Sequence, residues 1–263
     1  PDPQPALQQR NRGGALLDDH LDRPLHHVVH LGVERVLDHL GPLGGTVADC
    51  AHALTVLAAD GTDYAPGIAA GIAGMPFGIL GDAPFSPMQP DVEATFHRAV
   101  DTLRSLGADC IEISIPELAH TLAAEFGIIP LDAFRHHERS VRDRPADIDP
   151  GIRALLVAGA VLPQSVYRRA SAARVAIARA IARALDDHRL DALVTPALPG
   201  TASPKSATMP TYGEISEPID ASYVRTTAPF NLSGQPAISV PCGLDRSGLP
   251  IGLQIATRAG DDA

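Results

Sequence analysis

The stretch Phe230-Asn231-Leu232-Ser233-Gly234-Gln235-Pro236-Ala237-Ile238-Ser239-Val240-Pro241-Cys242-Gly243 decides how this chain is read. A polar turn around Gly234, carrying Asn231, Ser233 and Gln235, runs straight into an apolar run. A second run, Gly248-Leu249-Pro250-Ile251-Gly252-Leu253-Gln254-Ile255, follows after one tight turn. Short apolar runs bounded by glycine and proline predict two closing strands. Upstream, Tyr223 to Asn231 predicts a short turn or helix, and Pro199 to Pro218 a loop rich in Pro, Ser, Thr and Gly. Asp191 to Thr195 predicts a strand ended by Pro196. Gln164 to Asp187 predicts the longest helix, with Val166, Ala170, Ile177, Ile181 and Leu185 on one face. Arg168, Arg169, Arg179 and Arg183 can stay solvated on the other.

Nearer the N-terminus, residues 117 to 160 predict helix broken at Pro130, Pro145 and Pro150, because proline lacks the N–H the helix needs. Cys110 to Ile115 alternates, with Ile111, Ile113 and Ile115 on one face and Glu112 and Ser114 on the other, so it predicts a half-buried strand. Asp91 to Leu106 predicts a helix capped by Asp91 and stopped by Gly107. Pro76 to Leu80 predicts a short buried strand. Val47 to Ala59 predicts a helix that Thr46 can cap, with Asp49 three residues on. Helices and strands alternate, which predicts an α/β fold with a mixed β-sheet core flanked by helices. Residues 1 to 34 differ. They are rich in Pro, Gln, Asp, Arg and His and show no sustained period beyond a short strand over His26 to Val33. The chain thus divides into a His/Pro/Arg-rich head, 1 to 34, and a main part, 35 to 263.

At 263 residues the chain can bury a substantial core as one domain or two. A formal charge of −10 argues against a nucleic-acid backbone or an anionic membrane as the main partner. Cys50, Cys110 and Cys242 form no C-x-x-C pair, which fits buried thiols in a reducing compartment, the cytoplasm, better than a disulfide frame. No apolar run reaches the roughly 20 residues of a membrane span, and no secretory signal stands out. The first residue is Pro, and the last strand is followed by almost nothing, so both ends are expected to be cut.

Three blocks, in order, resemble the amidase-signature family. Leu37-Asp38-His39-Leu40-Gly41-Pro42 with Thr46-Val47-Ala48-Asp49 is similar to a family segment in which a loop enters a helix. Asp191-Ala192-Leu193-Val194-Thr195-Pro196 resembles the family strand that ends beside the active-site cleft. Phe230 to Gly243 with Gly248 to Gln254 resembles its closing strands. The resemblance covers roughly residues 35 to 263, the family's C-terminal half, and implies a partial amidase-signature fold. It implies hydrolysis of a carboxamide C–N bond through an acyl-serine intermediate, on a small-molecule amide, without metal or organic cofactor.

In that family a lysine, acting through a second serine, takes the proton of a serine nucleophile, and backbone N–H groups of a glycine-rich loop hold the oxyanion. All of these lie upstream of the Leu37 block. Here the first serine is Ser86, and residues 1 to 34 contain neither Ser nor Lys. By position-by-position carry-over, the catalytic residues are none. The chain alone is expected to be inactive, its catalytic half either lost, supplied on another chain, or replaced by a head read in a shifted frame. A catalytically dead binding module, with the exposed cleft remnant docking a partner or a second copy, is the alternative. A further one is a piece like the A subunit of a tRNA-dependent amidotransferase. That group carries an acidic residue seven positions before the Asn of the Asn-Leu-Ser-Gly block; here Val224 stands there, favouring a neutral or apolar amide.

The resemblance places Asp220, Tyr223, Arg225, Asn231, Ser233 and Gln235 near the substrate cleft. Their bland alternatives are a helix cap for Asp220, a snorkelling Arg225, and polar groups that satisfy loose backbone at the turn. Ser203-Pro204-Lys205-Ser206 holds the one lysine of the chain, but a Pro-rich loop predicts a solvated side chain. His39 beside Asp38 reads as structural. His26 and His30, four apart near Asp18, Asp19 and Asp22, match no metal motif and read as solvated. Gly71 to Gly74 lacks the lysine of a phosphate loop.

Overall fold

The structure is a computed structural model that describes residues 37, 39, 41–58 and 61–261. The head, with the short strand expected over His26 to Val33 and its His and Asp residues, lies outside them. The first helix, α1 (Val47–Ala58), opens with a reciprocal cap. The Asp49 N–H donates to Thr46 Oγ1 at 3.1 Å, and the Thr46 N–H donates to Asp49 Oδ2 at 3.0 Å. Strand β1 (Pro76–Ile79) leads to α2 (Pro90–Ser105) and then β2 (Asp109–Glu112). The cap expected from Asp91 is not made. Gln89 occupies that position without capping the helix, its Oε1 accepting instead from the Thr201 N–H at 3.0 Å, while Asp91 accepts from Arg246 Nε at 2.9 Å. Gly107 ends α2 with φ +93°, a left-handed conformation that glycine adopts without strain.

Strand β2 is shorter than its alternation predicts. The Ile113 N–H still donates to Ile79 O at 3.1 Å, but Pro116 fixes a 3-10 turn from Pro116 to His120. Ile111, Ile113 and Ile115 nevertheless pack on one core cluster, as the alternation requires. Helix α3 (Thr121–Asp143) passes through Pro130 without ending. The expected break is overridden by packing, since Ala124, Gly127, Ile128 and Pro130 are all buried on that helix. Helices α4 (Pro150–Ala160) and α5 (Gln164–Asp187) follow. Pro150 opens α4, and Asp149 caps it by accepting from the N–H groups of Gly151 and Ile152.

Strand β3 (Ala192–Pro196) is buried at every position, as a central strand must be. The segment expected to be loop contains a small hairpin, β4 (Thr211–Tyr212) and β5 (Ile215–Ser216), turned at Gly213 with φ +60°. Two short helices, α6 (Ile219–Arg225) and α7 (Ala228–Ser233), lead into β6 (Ala237–Leu244) and β7 (Pro250–Ala256).

The main sheet runs β2-β1-β3-β7-β6. β1 is parallel to β2 and β3, β7 is antiparallel to β3, and β6 is antiparallel to β7. The expected mixed α/β sheet is therefore present, with a core on each face. On one side α2 covers Phe77, Ile79, Val194 and Leu253 with Phe96 and Val100. On the other, Leu193 and Ala256 meet Ile177, Ile181 and Leu185 of α5 and Leu232 of α7.

Candidate active-site region

The parallel strands β1 and β3 end side by side, and the loops that leave their C-terminal ends meet there. In open α/β sheets this is the edge where ligands bind. The Ser114 hydroxyl, just beyond β2, donates to Asp82 Oδ2 at 2.6 Å and ties the loops after β1 and β2 together.

Arg225, the last residue of α6, reaches into this region. Its side chain is 5% exposed, and its Nε donates to Glu217 Oε1 at 2.8 Å. Its two terminal nitrogens donate to the carbonyls of Pro84 and Pro87 in the loop after β1. The guanidinium also lies over the Tyr212 ring, 5.5 Å from its centre. The Tyr212 hydroxyl pairs with Ser222 Oγ at 2.6 Å. Burial pushes the Tyr212 phenol above its ordinary range, against the opposing pull of the Ser222 bond. Arg225 is thus held inside the protein through each of its three guanidinium nitrogens, not snorkelling. One planar fork satisfies a carboxylate and two carbonyls, a task for which lysine has the wrong shape.

A second polar set fastens the same region to the sheet. Thr226 Oγ1 donates to Ala197 O at 2.7 Å. Gln254 Nε2, on β7, donates to Thr195 Oγ1 at 3.0 Å and to Thr226 O at 3.1 Å. The Tyr223 hydroxyl accepts from the Ser203 N–H at 3.0 Å. Helix α6 is therefore joined to the loop after β3, and its end to the strands.

The six residues named from sequence fall into two groups. Tyr223 and Arg225 share α6 with exposed Asp220. Asn231 and Ser233 lie on α7, with Gln235 just past its end. Ser233 Oγ lies against Pro229 O at 2.8 Å and Phe230 O at 3.3 Å, and also bonds Gln235 Oε1. Gln235 is 7% exposed. These two therefore do satisfy groups at the helix end. Asn231 is half-buried and its side chain makes no hydrogen bond among the described residues.

Tyr212, Glu217, Ser222 and Gln254 belong to this region and were not singled out from sequence. Gln254 carried a signal, a lone polar residue inside an apolar strand run. Glu217 and Tyr212 carried none, because only folding brings them to Arg225.

Lys205 and Ser206 are exposed, and Lys205 makes no hydrogen bond to a serine. His39 Nδ1 lies 2.9 Å from Leu37 O, a local backbone contact. Gly71 and Gly74 adopt left-handed turns, and the Gly74 N–H donates to Gly107 O at 2.8 Å. Among the described residues no group of three His, Cys, Asp or Glu side chains could hold a metal ion, and no helix is long and apolar enough to cross a membrane. Cys50, Cys110 and Cys242 are free thiols. Away from this region, an open cleft of about 390 Å³ lies where the end of α3 meets α4, between His137, Arg144, Asp147 and Leu156.

The sequence matches the family profile described as Amidase over residues 22–263. A Pseudomonas putida protein named Amidase is 31% identical over 225 residues, covering 81% of this chain and 48% of that protein. The A subunit of the glutamyl-tRNA(Gln) amidotransferase of Synechococcus sp. (strain RCC307) is 32% identical, covering 83% and 51% respectively. The crystal structure of an amidase superposes with a TM-score of 0.76 at 27% identity, over 84% of this chain and 49% of that one. The chain spans about half the length of the curated relatives it matches. The three sequence blocks, the mixed sheet and the profile agree: this chain belongs to the amidase family.

Proposed function

We propose that this chain is the cleft-forming part of an amide hydrolase and does not hydrolyse amides by itself. The reaction of the whole enzyme is amide plus water to carboxylate plus ammonia or amine, through an acyl-serine. The observation that carries the second half of this reading is the state of Lys205. It is the chain's one lysine, and it is exposed, on a loop, and bonded to no serine. A lysine can accept a proton from serine only when it is held against the hydroxyl and partly stripped of water. The nucleophile, its base and the oxyanion donors therefore belong to polypeptide outside the described residues. We take residues 35–263 as the amidase part and 1–34 as a head, into which the family profile extends from residue 22.

Within the cleft, Asp220, Tyr223 and Asn231 are the residues we assign to the amide, with Arg225, Ser233 and Gln235 holding their helices in place. Among the described residues the Asn231 side chain makes no hydrogen bond, and Tyr223 stands between it and exposed Asp220 on the chain. Val224, where the A subunit of an amidotransferase would carry an acid, supports a neutral or apolar amide as the substrate. The three free thiols support a cytoplasmic setting.

The test is to incubate the purified chain with simple carboxamides and, separately, with a serine-directed fluorophosphonate. No turnover and no label are expected. Turnover, or a stoichiometric adduct on any serine, overturns the reading.

A further inference from the structure

The segment between β3 and α6 is built as a unit of its own. Among the described residues, the main-chain hydrogen bonds of 204–217 run within the segment or to the start of α6. The Ala207 N–H donates to Pro204 O at 2.8 Å, the Glu217 N–H to Pro210 O at 3.2 Å, and the Ile219 N–H to Thr208 O at 3.0 Å. β4 and β5 pair with each other, in a two-stranded sheet apart from the main one. A surface loop closed by its own bonds can open locally while the sheet beside it stays folded, provided that its fastenings are few.

Those fastenings are side-chain bonds. At the base, Thr201 Oγ1 donates to Asp245 Oδ2 at 2.8 Å, and the Thr201 N–H donates to Gln89 Oε1 at 3.0 Å. The Ser203 N–H then donates to the Tyr223 hydroxyl. At the far end, Glu217 Oε1 accepts from Arg225 Nε. Between these points, Tyr212 is the one buried residue of 202–217, at 1% exposed. Its ring lies under the Arg225 guanidinium and against Gly200, where a β-carbon would come within 2.9 Å of the ring. The missing side chain of Gly200 is thus the socket that the ring enters. The base is held without Arg225, whereas Tyr212 and Glu217 both depend on it. Arg225 also grips the Pro84 and Pro87 carbonyls, in the loop after β1.

We propose that residues 204–217 are a gate between the loops after β1 and β3, hinged at the Thr201 anchor and latched by Arg225, which holds Tyr212 in its socket and Glu217 at its end. When the latch releases, the hairpin leaves as one body, because its own bonds travel with it. The region between the two loops is then open to water. When Tyr212 returns, Arg225 joins the loop after β1 to the loop after β3 and closes that region. The sheet takes no part in either step, since β3 and β7 are fastened through Thr195, Thr226 and Gln254 and not through the hairpin.

This goes beyond the hydrolase reading and does not depend on it, because the test needs no turnover. Lys205 lies in the gate and is the chain's one lysine, so a lysine-specific endoproteinase has a single site to cut. The protease needs that segment extended, and the rate of the cut therefore reads the population of the open form. Glu217→Gln weakens the charged bond of the latch and should raise the rate about tenfold. Tyr212→Ala, which empties the socket, should raise it at least as much. Amide hydrogen exchange of 204–217 should rise with the cut rate in both variants, while the amides of β3 and β7 keep their wild-type protection. A cut rate that either variant leaves unchanged overturns the proposal. So does exchange in β3 and β7 that rises in step with the gate, or a wild-type gate whose amides exchange no faster than those of β3.

Discussion

Asp245 closes the turn between β6 and β7 by accepting from the N–H groups of Leu249 at 2.9 Å and Ser247 at 2.8 Å, and from the Thr201 hydroxyl at 2.8 Å. These bonds, that from Leu249 first, hold its carboxyl below the ordinary value of 3.8. A carboxyl whose folded pKa is depressed contributes stability above its unfolded pKa and loses it as pH falls through the folded one. Asp245→Asn removes that titration. Thermal melts between pH 6 and pH 3 should show a shallower acid slope for the variant than for the wild type, and equal slopes would refute the role. Arg225 makes the other residue-scale prediction. Removing one partner of a buried pair strands the other, so Arg225→Ala should cost about 3–5 kcal/mol in urea unfolding. Arg225→Lys should recover only part of it, since an ammonium cannot reach Glu217 and both proline carbonyls in the geometry of a fork. A loss under about 1 kcal/mol for Arg225→Ala would place it with exposed pairs instead.

At the scale of elements, the contact between α3 and α4 depends on Gly159. A β-carbon there would come within 1.8 Å of the Pro130 carbonyl oxygen, so the two helices touch backbone to side-chain-free backbone. Gly159→Ala should destabilise the protein by about 1–3 kcal/mol or more, by the usual cost of overpacking. Gly67→Ala, on a site with nothing within 4 Å, should be near neutral in the same denaturant titration. The pair also explains what could be read beforehand and what could not. The stripe Val92, Phe96, Ala99, Leu103 and Leu106 announced α2, although Leu106 at its end is exposed and Val100 is buried in its place, and the buried face of α5 was equally plain, because each is local periodicity. The passage of α3 through Pro130 was not, because it rests on a glycine twenty-nine positions along the chain and on burial against α5.

For the whole molecule, two cores on opposite faces of one sheet hold the parallel strands β1 and β3 at the centre, and the loops at their ends carry the candidate site. The order β2-β1-β3-β7-β6 brings the third strand in sequence beside the first and the last beside the third. Half of the candidate site was legible. Tyr223 and Arg225 were named, and Ser233 and Gln235 do satisfy the turn. The rest lay in pairs such as Arg225 with Pro84 and Pro87, which are 141 and 138 positions apart. No pattern within a window of sequence reports a contact at that separation.

Residue order alone settled most of the helices and strands, that the chain belongs with the amidases, and that its one lysine sits in a loop of prolines. These are matters of local periodicity, turn chemistry and composition, which act between near neighbours. It took the folded chain to bury Arg225 against Glu217, Pro84 and Pro87, and to keep Pro130 inside a helix. Each of those depends on burial against distant parts of the chain, where removing water makes a hydrogen bond or a close contact outweigh what the local residues prefer.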